Sequence, residues 1–127
     1  MNDTMILKPI VCIDLKKDRI RIHRTTLHLI GDPSYINLLV NPNSKTLAIR
    51  KACKNDPLAL RIRKNQLTDG NCVEFGCREL IYKLRNVDDI WNDNCSYRIY
   101  GECNSKESLA QFAMKDSILI EEIQANE

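Results

Sequence analysis

The chain has 127 residues, of which 43% are hydrophobic and 28% are charged, and its formal net charge is +2. This length supports one hydrophobic core without disulfides or metals, and this composition is typical of a folded globular domain, not of a disordered chain. No apolar run is long enough to cross a bilayer, and Met1–Thr4 lack the basic and apolar regions of a signal peptide, so we expect a cytoplasmic protein without a membrane partner.

The first half predicts four strands and a short helix. Arg19–His23 alternates with period two, so Ile20 and Ile22 should face the core and the arginines the solvent. Gly31 followed by Pro33 should end the helix, and the turn-forming run Asn41–Ser44 should join two strands. The predicted elements are strands at Pro9–Leu15, Arg19–His23, Tyr35–Val40 and Lys45–Arg50, and a helix capped by Thr25 or Thr26 that runs to Ile30.

The second half predicts a similar order with a longer helix. Cys77–Val87 carries an apolar stripe of Leu80, Ile81, Leu84 and Val87, which is typical of an amphipathic helix. The other predicted elements are strands at Leu58–Arg63, Cys72–Phe75, Tyr97–Cys103 and Glu107–Met114, and a turn at Thr68–Asn71. An acidic loop with Asp88, Asp89 and Asp93 surrounds Trp91, and the tail at 115–127 is compatible with a last helix.

The two halves therefore appear as an internal repeat with opposite charge. Apolar positions recur at a separation of 53 residues, as in Ile20 and Val73, and later at 62, as in Leu47 and Leu109. Residues 1–66 have a charge of +8 and residues 67–127 a charge of −6. We expect one compact domain, with repeat 1 at about 9–50, repeat 2 at about 58–114 and the tail at 115–127, in which the halves dock about a pseudo-two-fold axis.

The sequence carries no sign of catalysis or of a cofactor. His23 and His28 are the only histidines, and no nucleophile elbow, zinc-protease or phosphate-loop motif is present. The six cysteines, at 12, 53, 72, 77, 95 and 103, form no C-x-x-C pair. The spacings of the Cys72/Cys77 and Cys95/Cys103 pairs are at or outside the usual range for structural zinc. We therefore expect no catalytic residue, no cofactor and no metal.

A family resemblance rests on Ile13–His23, Leu27–Gly31, Tyr35–Val40 and Leu47–Ile49. Their order resembles the swapped-hairpin domains of the AbrB/MazE/SpoVT kind, with a faint second copy at 58–114. The resemblance implies an α+β, mainly β fold in which two such repeats pack as an intramolecular pseudo-dimer barrel. It also implies DNA binding of the transcription-regulator type. Asp18 stands where that family usually has Gly, and His23 where it usually has Pro.

The candidate DNA-binding residues are basic side chains on and beside the first predicted hairpin. Lysine and arginine neutralise phosphates and release counterions, which makes such a surface bind DNA in a salt-dependent manner. The alternative is that these side chains form a solvated strand face whose charge only prevents another strand from pairing with the sheet edge. A second hypothesis is a non-catalytic protein-interaction or antitoxin-like accessory module, or self-association. The residues predicted to contact double-stranded DNA are Lys16, Lys17, Arg19, Arg21 and Arg24.

Overall fold

The computed structural model describes residues 7–63, 71–87 and 91–120. The strands are β1 (Ile10–Asp14), β2 (Arg19–His23), β3 (Tyr35–Asn41), β4 (Thr46–Lys51), β5 (Leu60–Arg61), β6 (Cys72–Gly76), β7 (Ser96–Tyr100), β8 (Glu102–Asn104), β9 (Leu109–Ala113) and β10 (Ile118–Ile120). The helices are α1 (Arg24–Leu29) and α2 (Arg78–Val87), and a 3-10 turn covers Met114–Asp116. The predicted class, α+β and mainly β, is confirmed.

The strands form two antiparallel sheets of five strands each. The first sheet has the order β10-β7-β1-β2-β6, and the second has the order β5-β3-β4-β9-β8. No closed barrel is seen in the described residues. Among those residues, no helix has the length and apolar character needed to span a membrane.

Both sheets contain strands from both halves of the chain. β2 pairs with β6 and β4 with β9, so each of these contacts joins the basic half to the acidic half. β1 also pairs with β7, and β3 with β5. Neither half therefore has a complete sheet of its own, and the two halves share one core.

The core follows from the alternation of the strands. The inward positions are aliphatic or aromatic and fully or nearly fully buried, while their neighbours face solvent. α2 covers the core with Ile81 and Leu84, both 0% exposed. The core residues of the central strands are Val11, Ile13, Ile20, Ile22, Leu47, Ile49, Ala110 and Phe112.

α1 docks on β1 through a buried threonine. The Thr26 hydroxyl accepts a hydrogen bond from the Ile10 N–H at 2.7 Å and donates one to the Ile10 carbonyl at 2.9 Å. The predicted cap at Thr25 or Thr26 is wrong, because the His23 Nδ1 accepts from the Thr25 N–H at the start of the helix. Gly31, with φ of 97°, does end the helix region, as predicted.

Two other local predictions need correction, and two more cannot be compared with the described residues. The strand expected at Leu58–Arg63 covers only Leu60–Arg61. The tail is not helical where it is described, because the 3-10 turn leads into β10, which pairs with β7. The Thr68–Asn71 turn, apart from Asn71, and the acidic pair Asp88 and Asp89 lie outside the described residues.

Gly101 divides the predicted Tyr97–Cys103 strand into β7 and β8, which belong to different sheets. Its N–H donates to the Pro9 carbonyl at 2.9 Å. A Cβ atom at this position would fall on the Gln111 carbonyl oxygen and 2.6 Å from the Phe112 ring. Only glycine therefore lets the chain pass this close to β9.

Gly101→Ala should lower the free energy of unfolding by about 1–3 kcal/mol, since the new methyl group overpacks a backbone contact that cannot yield easily. Gly76→Ala is the matched control, because a Cβ there meets no atom within 4 Å, and its effect should stay within about 0.5 kcal/mol. Urea denaturation measures both. Equal stability of the two variants would contradict the packing described at Gly101.

Candidate functional site

The outer face of the first sheet carries two of the five predicted DNA-binding residues, Arg19 and Arg21. Because side chains alternate across a strand, residues opposite to the core positions of β1, β2, β6 and β7 project from this one surface. We call this surface the charged face; its residues are Cys12, Asp14, Arg19, Arg21, His23, Cys72, Glu74, Arg98 and Tyr100.

The strand register sets a row of four side chains across the charged face. Cys12 lies opposite Arg98 on β7 and opposite Arg21 on β2. Arg21 in turn lies opposite Glu74 on β6. The row therefore alternates a cation, a small thiol, a cation and a carboxylate, and two of its four members come from the second half of the chain.

Glu74 holds two of the predicted residues in ion pairs. Its Oε2 accepts from the Arg19 Nη1 at 3.2 Å and from the Arg21 Nε at 3.1 Å. Partial burial would raise the pKa of the Glu74 carboxyl, but the hydrogen bonds from Arg21 and then Arg19 outweigh it and lower that pKa from its ordinary value of 4.5. The same bond raises the pKa of Arg21. These two guanidinium groups are thus partly neutralised.

Arg98 is the cation that the sequence argument missed. It forms no ion pair with an Asp or Glu of the described chain. Hydrogen bonding to the Cys12 side chain, and more weakly to Tyr100, raises the pKa of Arg98. Within the described residues, Arg98 is therefore the arginine of the charged face that pairs with no carboxylate. It lies in the acidic half of the sequence, so only the β1–β7 pairing reveals its neighbours.

A hollow of about 420 Å³ opens on the charged face beside Arg98. Arg21 and His23 line one side, and Arg98 and Tyr100 the other. The His23 Nδ1 accepts from the Thr25 N–H, so the hydrogen of the neutral imidazole is on Nε2, which is a donor. We call this cavity the arginine hollow; it is lined by Ile10, Cys12, Arg21, His23, Cys72, Arg98 and Tyr100.

The remaining predicted residues lie at the two ends of the first hairpin. Lys16 and Lys17 are exposed in the turn between β1 and β2, and their N–H groups donate to the Asp14 carboxylate. Arg24 begins α1 at the opposite end of β2 and lines a separate hollow with Asp32 and Arg63. The structure thus brings Arg19 and Arg21 together, places the lysines beyond one end of the sheet and sets Arg24 apart.

The turn that carries the lysines is anchored to α2 and the loop after it. Asp18 adopts φ of 53°, the left-handed region that favours glycine. Arg85 donates to the Leu15 carbonyl at 2.6 Å and forms ion pairs with Asp18 at 3.3 Å and Asp93 at 3.2 Å. The second half of the chain therefore also fixes the position of Lys16 and Lys17.

The cysteines do not assemble into a metal centre in the described chain. All six are free thiols, and no group of three or more His, Cys, Asp or Glu side chains in the described segments could hold a metal ion. Cys72 lies on the charged face, whereas the Cys103 thiol donates to the Leu29 carbonyl at 3.3 Å. Burial raises the pKa of the thiols of Cys72, Cys77 and Cys103.

An apolar groove lies on another part of the molecule, between α2 and β3. Leu38 and Val40 form its floor, and Leu58, which is 80% exposed, lies at its edge. Tyr82, 65% exposed, flanks a neighbouring hollow with Val40 and Val87. Most residues of this groove belong to the second sheet and to α2, and Gly76 at the end of β6 is its contact with the first sheet.

Comparison with known proteins adds no assignment. The chain matches no protein-family model, no curated protein and no solved structure. The chemistry of the charged face therefore has to be argued from its own residues.

The Glu74 pairs should stabilise the protein above pH 4.5 and lose their effect below it. A carboxyl whose pKa is lowered on folding contributes stability above its unfolded pKa, and that contribution disappears as the pH falls through the folded pKa. The pairs are partly exposed, so the contribution should be at most about 1 kcal/mol. Melting temperatures of the wild type and Glu74→Gln should differ more at pH 6 than at pH 3; a pH-independent difference would contradict this role.

Proposed function

We propose that the protein binds double-stranded DNA through the charged face. The observation that supports this most strongly is the convergence of Arg19, Arg21 and Arg98 on one sheet surface, with Lys16 and Lys17 at its end. These five cations outnumber the three carboxylates of the same face and turn, Asp14, Asp18 and Glu74. A surface with a net positive charge and several guanidinium groups attracts the phosphate backbone of duplex DNA.

The contact between the charged face and DNA should be mainly electrostatic, and its affinity should not depend on the DNA sequence. Phosphate contacts fix the position of a protein on DNA, whereas base-edge contacts are needed for sequence readout. Arg24, which lies at the far end of β2, would extend the contact beyond the sheet. This role would suit a cytoplasmic protein of the transcription-regulator type.

We also infer that the two halves are repeats of a hairpin domain similar to the AbrB kind, packed as an internal pseudo-dimer. Glu74 follows Arg21 by the same 53 positions that separate Ile20 from Val73. A two-fold axis between antiparallel strands passes between equivalent residues, and Arg21 does lie opposite Glu74. Ile20 lies opposite Phe75, which is the equivalent of Ile22, and Ile22 lies opposite Val73, which is the equivalent of Ile20. A two-fold axis requires each residue to face the equivalent of its neighbour in this crossed way.

The pairing of β4 with β9 supports the same inference. Leu47 and Leu109 are equivalent because they are separated by 62 residues. Leu47 lies opposite Phe112, and Leu109 lies opposite Arg50. Phe112 follows Arg50 by the same 62 positions, so this contact is crossed in the same way. Two independent strand pairs thus support a single internal axis, even though the described strands do not close into a barrel.

Arg98→Ala and Arg21→Ala should each weaken binding to unrelated DNA duplexes several-fold at low salt. Each should also reduce the slope of log affinity against log salt concentration by about one, because one phosphate contact is lost. Fluorescence anisotropy with a labelled duplex at several salt concentrations measures both quantities.

Arg50→Ala is the matched control, since Arg50 is an exposed arginine on a strand of the second sheet, where it bonds to Asn37. Removing it changes the net charge equally but leaves the charged face intact. Absence of wild-type binding even at low salt would refute the proposed function. Equal losses in all three variants would show that net charge, and not the charged face, determines binding.

A further inference from the structure

We propose that the arginine hollow seats one phosphate group between Arg98 and Arg21, and that the carboxylate of Glu74 weakens its binding by charge repulsion. The inference rests on the proposed function in that DNA would be the source of the phosphate. The same chemistry would accept free inorganic phosphate. The two sources are separated by the experiment below.

The lining of the arginine hollow is suited to an anion because its polar side chains are donors. Arg21 and Arg98 donate only, and His23, whose Nδ1 accepts from the Thr25 N–H, has its other ring nitrogen as a donor. The Tyr100 hydroxyl and the Cys12 thiol also have hydrogens to donate. No carboxylate is among the lining residues. A ligand that only accepts hydrogen bonds, such as a phosphate oxygen, fits this set better than a cation or an amide does.

The strand spacing places the two guanidinium groups on either side of a small residue. Arg21 and Arg98 both lie opposite Cys12 on adjacent strands, so their Cα atoms are about 10 Å apart. Cys12 is short and leaves the space between them open. Both arginines line the hollow, so a guanidinium from each side can donate hydrogen bonds to one tetrahedral oxyanion.

The existing contacts leave both arginines able to take this ligand. Arg98 has no carboxylate partner in the described residues, so a phosphate would be its first counterion. Arg21 uses its Nε for Glu74, and its terminal Nη atoms have no hydrogen-bond partner within the described chain. The Nη edge of the guanidinium remains available for a bidentate contact.

Glu74 has a double effect on this site. Its bond to the Arg21 Nε orients the guanidinium, while its negative charge repels a phosphate bound to the same group. Arg19 also pairs with Glu74, so the carboxylate keeps a cationic partner when a phosphate draws on Arg21, but its negative charge still opposes the phosphate. A glutamine at this position keeps an oxygen that accepts from Arg21 but removes the repulsion. The affinity should therefore rise, not fall, in Glu74→Gln.

The experiment titrates the intact protein with inorganic phosphate and, separately, with a short duplex, followed by two-dimensional NMR. Both probes should perturb the signals of Cys12, Arg21 and Arg98. Glu74→Gln should tighten binding by about two- to fivefold, the range expected when a partly exposed ion pair ceases to oppose the ligand. Arg98→Ala should weaken the binding of inorganic phosphate by about tenfold or more, since a charge-assisted hydrogen-bond partner is lost.

Glu102→Gln is the matched control, because it makes the same charge change on the second sheet, where Glu102 is exposed and pairs with Lys8. Its affinity should equal that of the wild type. Circular dichroism melting confirms that each variant is folded. Where Arg98→Ala is too unstable, Arg98→Lys keeps the charge without the planar fork and should bind with an intermediate affinity.

Two results would overturn the inference. One is phosphate affinity that is the same in Arg98→Ala, Glu74→Gln and the wild type. The other is that a duplex binds through Arg98 while inorganic phosphate does not perturb the signals of the arginine hollow. This result would refute the phosphate site but would be compatible with DNA binding. Phosphate binding at the hollow without any duplex binding supports the seat and refutes the proposed function.

Discussion

The pairing of β2 with β6 is the contact on which the fold and the charged face both depend. It joins the basic half of the chain to the acidic half and sets Arg21 directly opposite Glu74. Together with the β1–β7 pairing, it completes a sheet that neither half could form alone. The strong charge asymmetry along the sequence therefore does not become a separation of positive and negative halves in space.

The pairing of strands from different halves also determines both the stability of the charged face and its attraction for an anionic ligand. Arg19 and Arg21 would repel each other on one strand, and Glu74 relieves that repulsion from the neighbouring strand. Such an exposed pair contributes little to folding, since the gain in Coulomb energy is offset by side-chain ordering and screening by salt. The same carboxylate, however, lowers the positive potential of the face. Arg98 avoids this compromise because its hydrogen-bonding neighbours, Cys12 and Tyr100, carry no carboxylate.

The sequence predicted the strands well where alternation was regular and turns were marked by glycine, proline or asparagine. Arg19–His23 alternates without exception and matches β2, and the Asn41–Ser44 turn separates β3 from β4. The tail was different, because Ile118–Ile120 is a short apolar run whose strand state depends on pairing with β7. The helix cap was assigned to a threonine on general preference, whereas His23 provides it through its ring nitrogen.

The candidate site was predicted only in part, for a physical reason. The period-two pattern of β2 shows that Arg19 and Arg21 share a face, but no local pattern shows which strands lie beside it. Arg98 and Glu74 are 77 and 53 residues beyond Arg21, and only long-range pairing brings them together. The repeat separation offered a signal for Glu74, since equivalent residues meet at a two-fold axis. For Arg98, whose position depends on the exchange of strands between the halves, the sequence held no comparable signal.

The most direct test of the account is the map of backbone and arginine side-chain NMR shifts on addition of a short DNA duplex to the intact protein. The account predicts that the largest changes cluster on the charged face, at Cys12, Arg21, His23 and Arg98, with smaller changes at Lys16 and Lys17. Changes concentrated on the second sheet or on the groove beside α2, with the charged face unaffected, would contradict it.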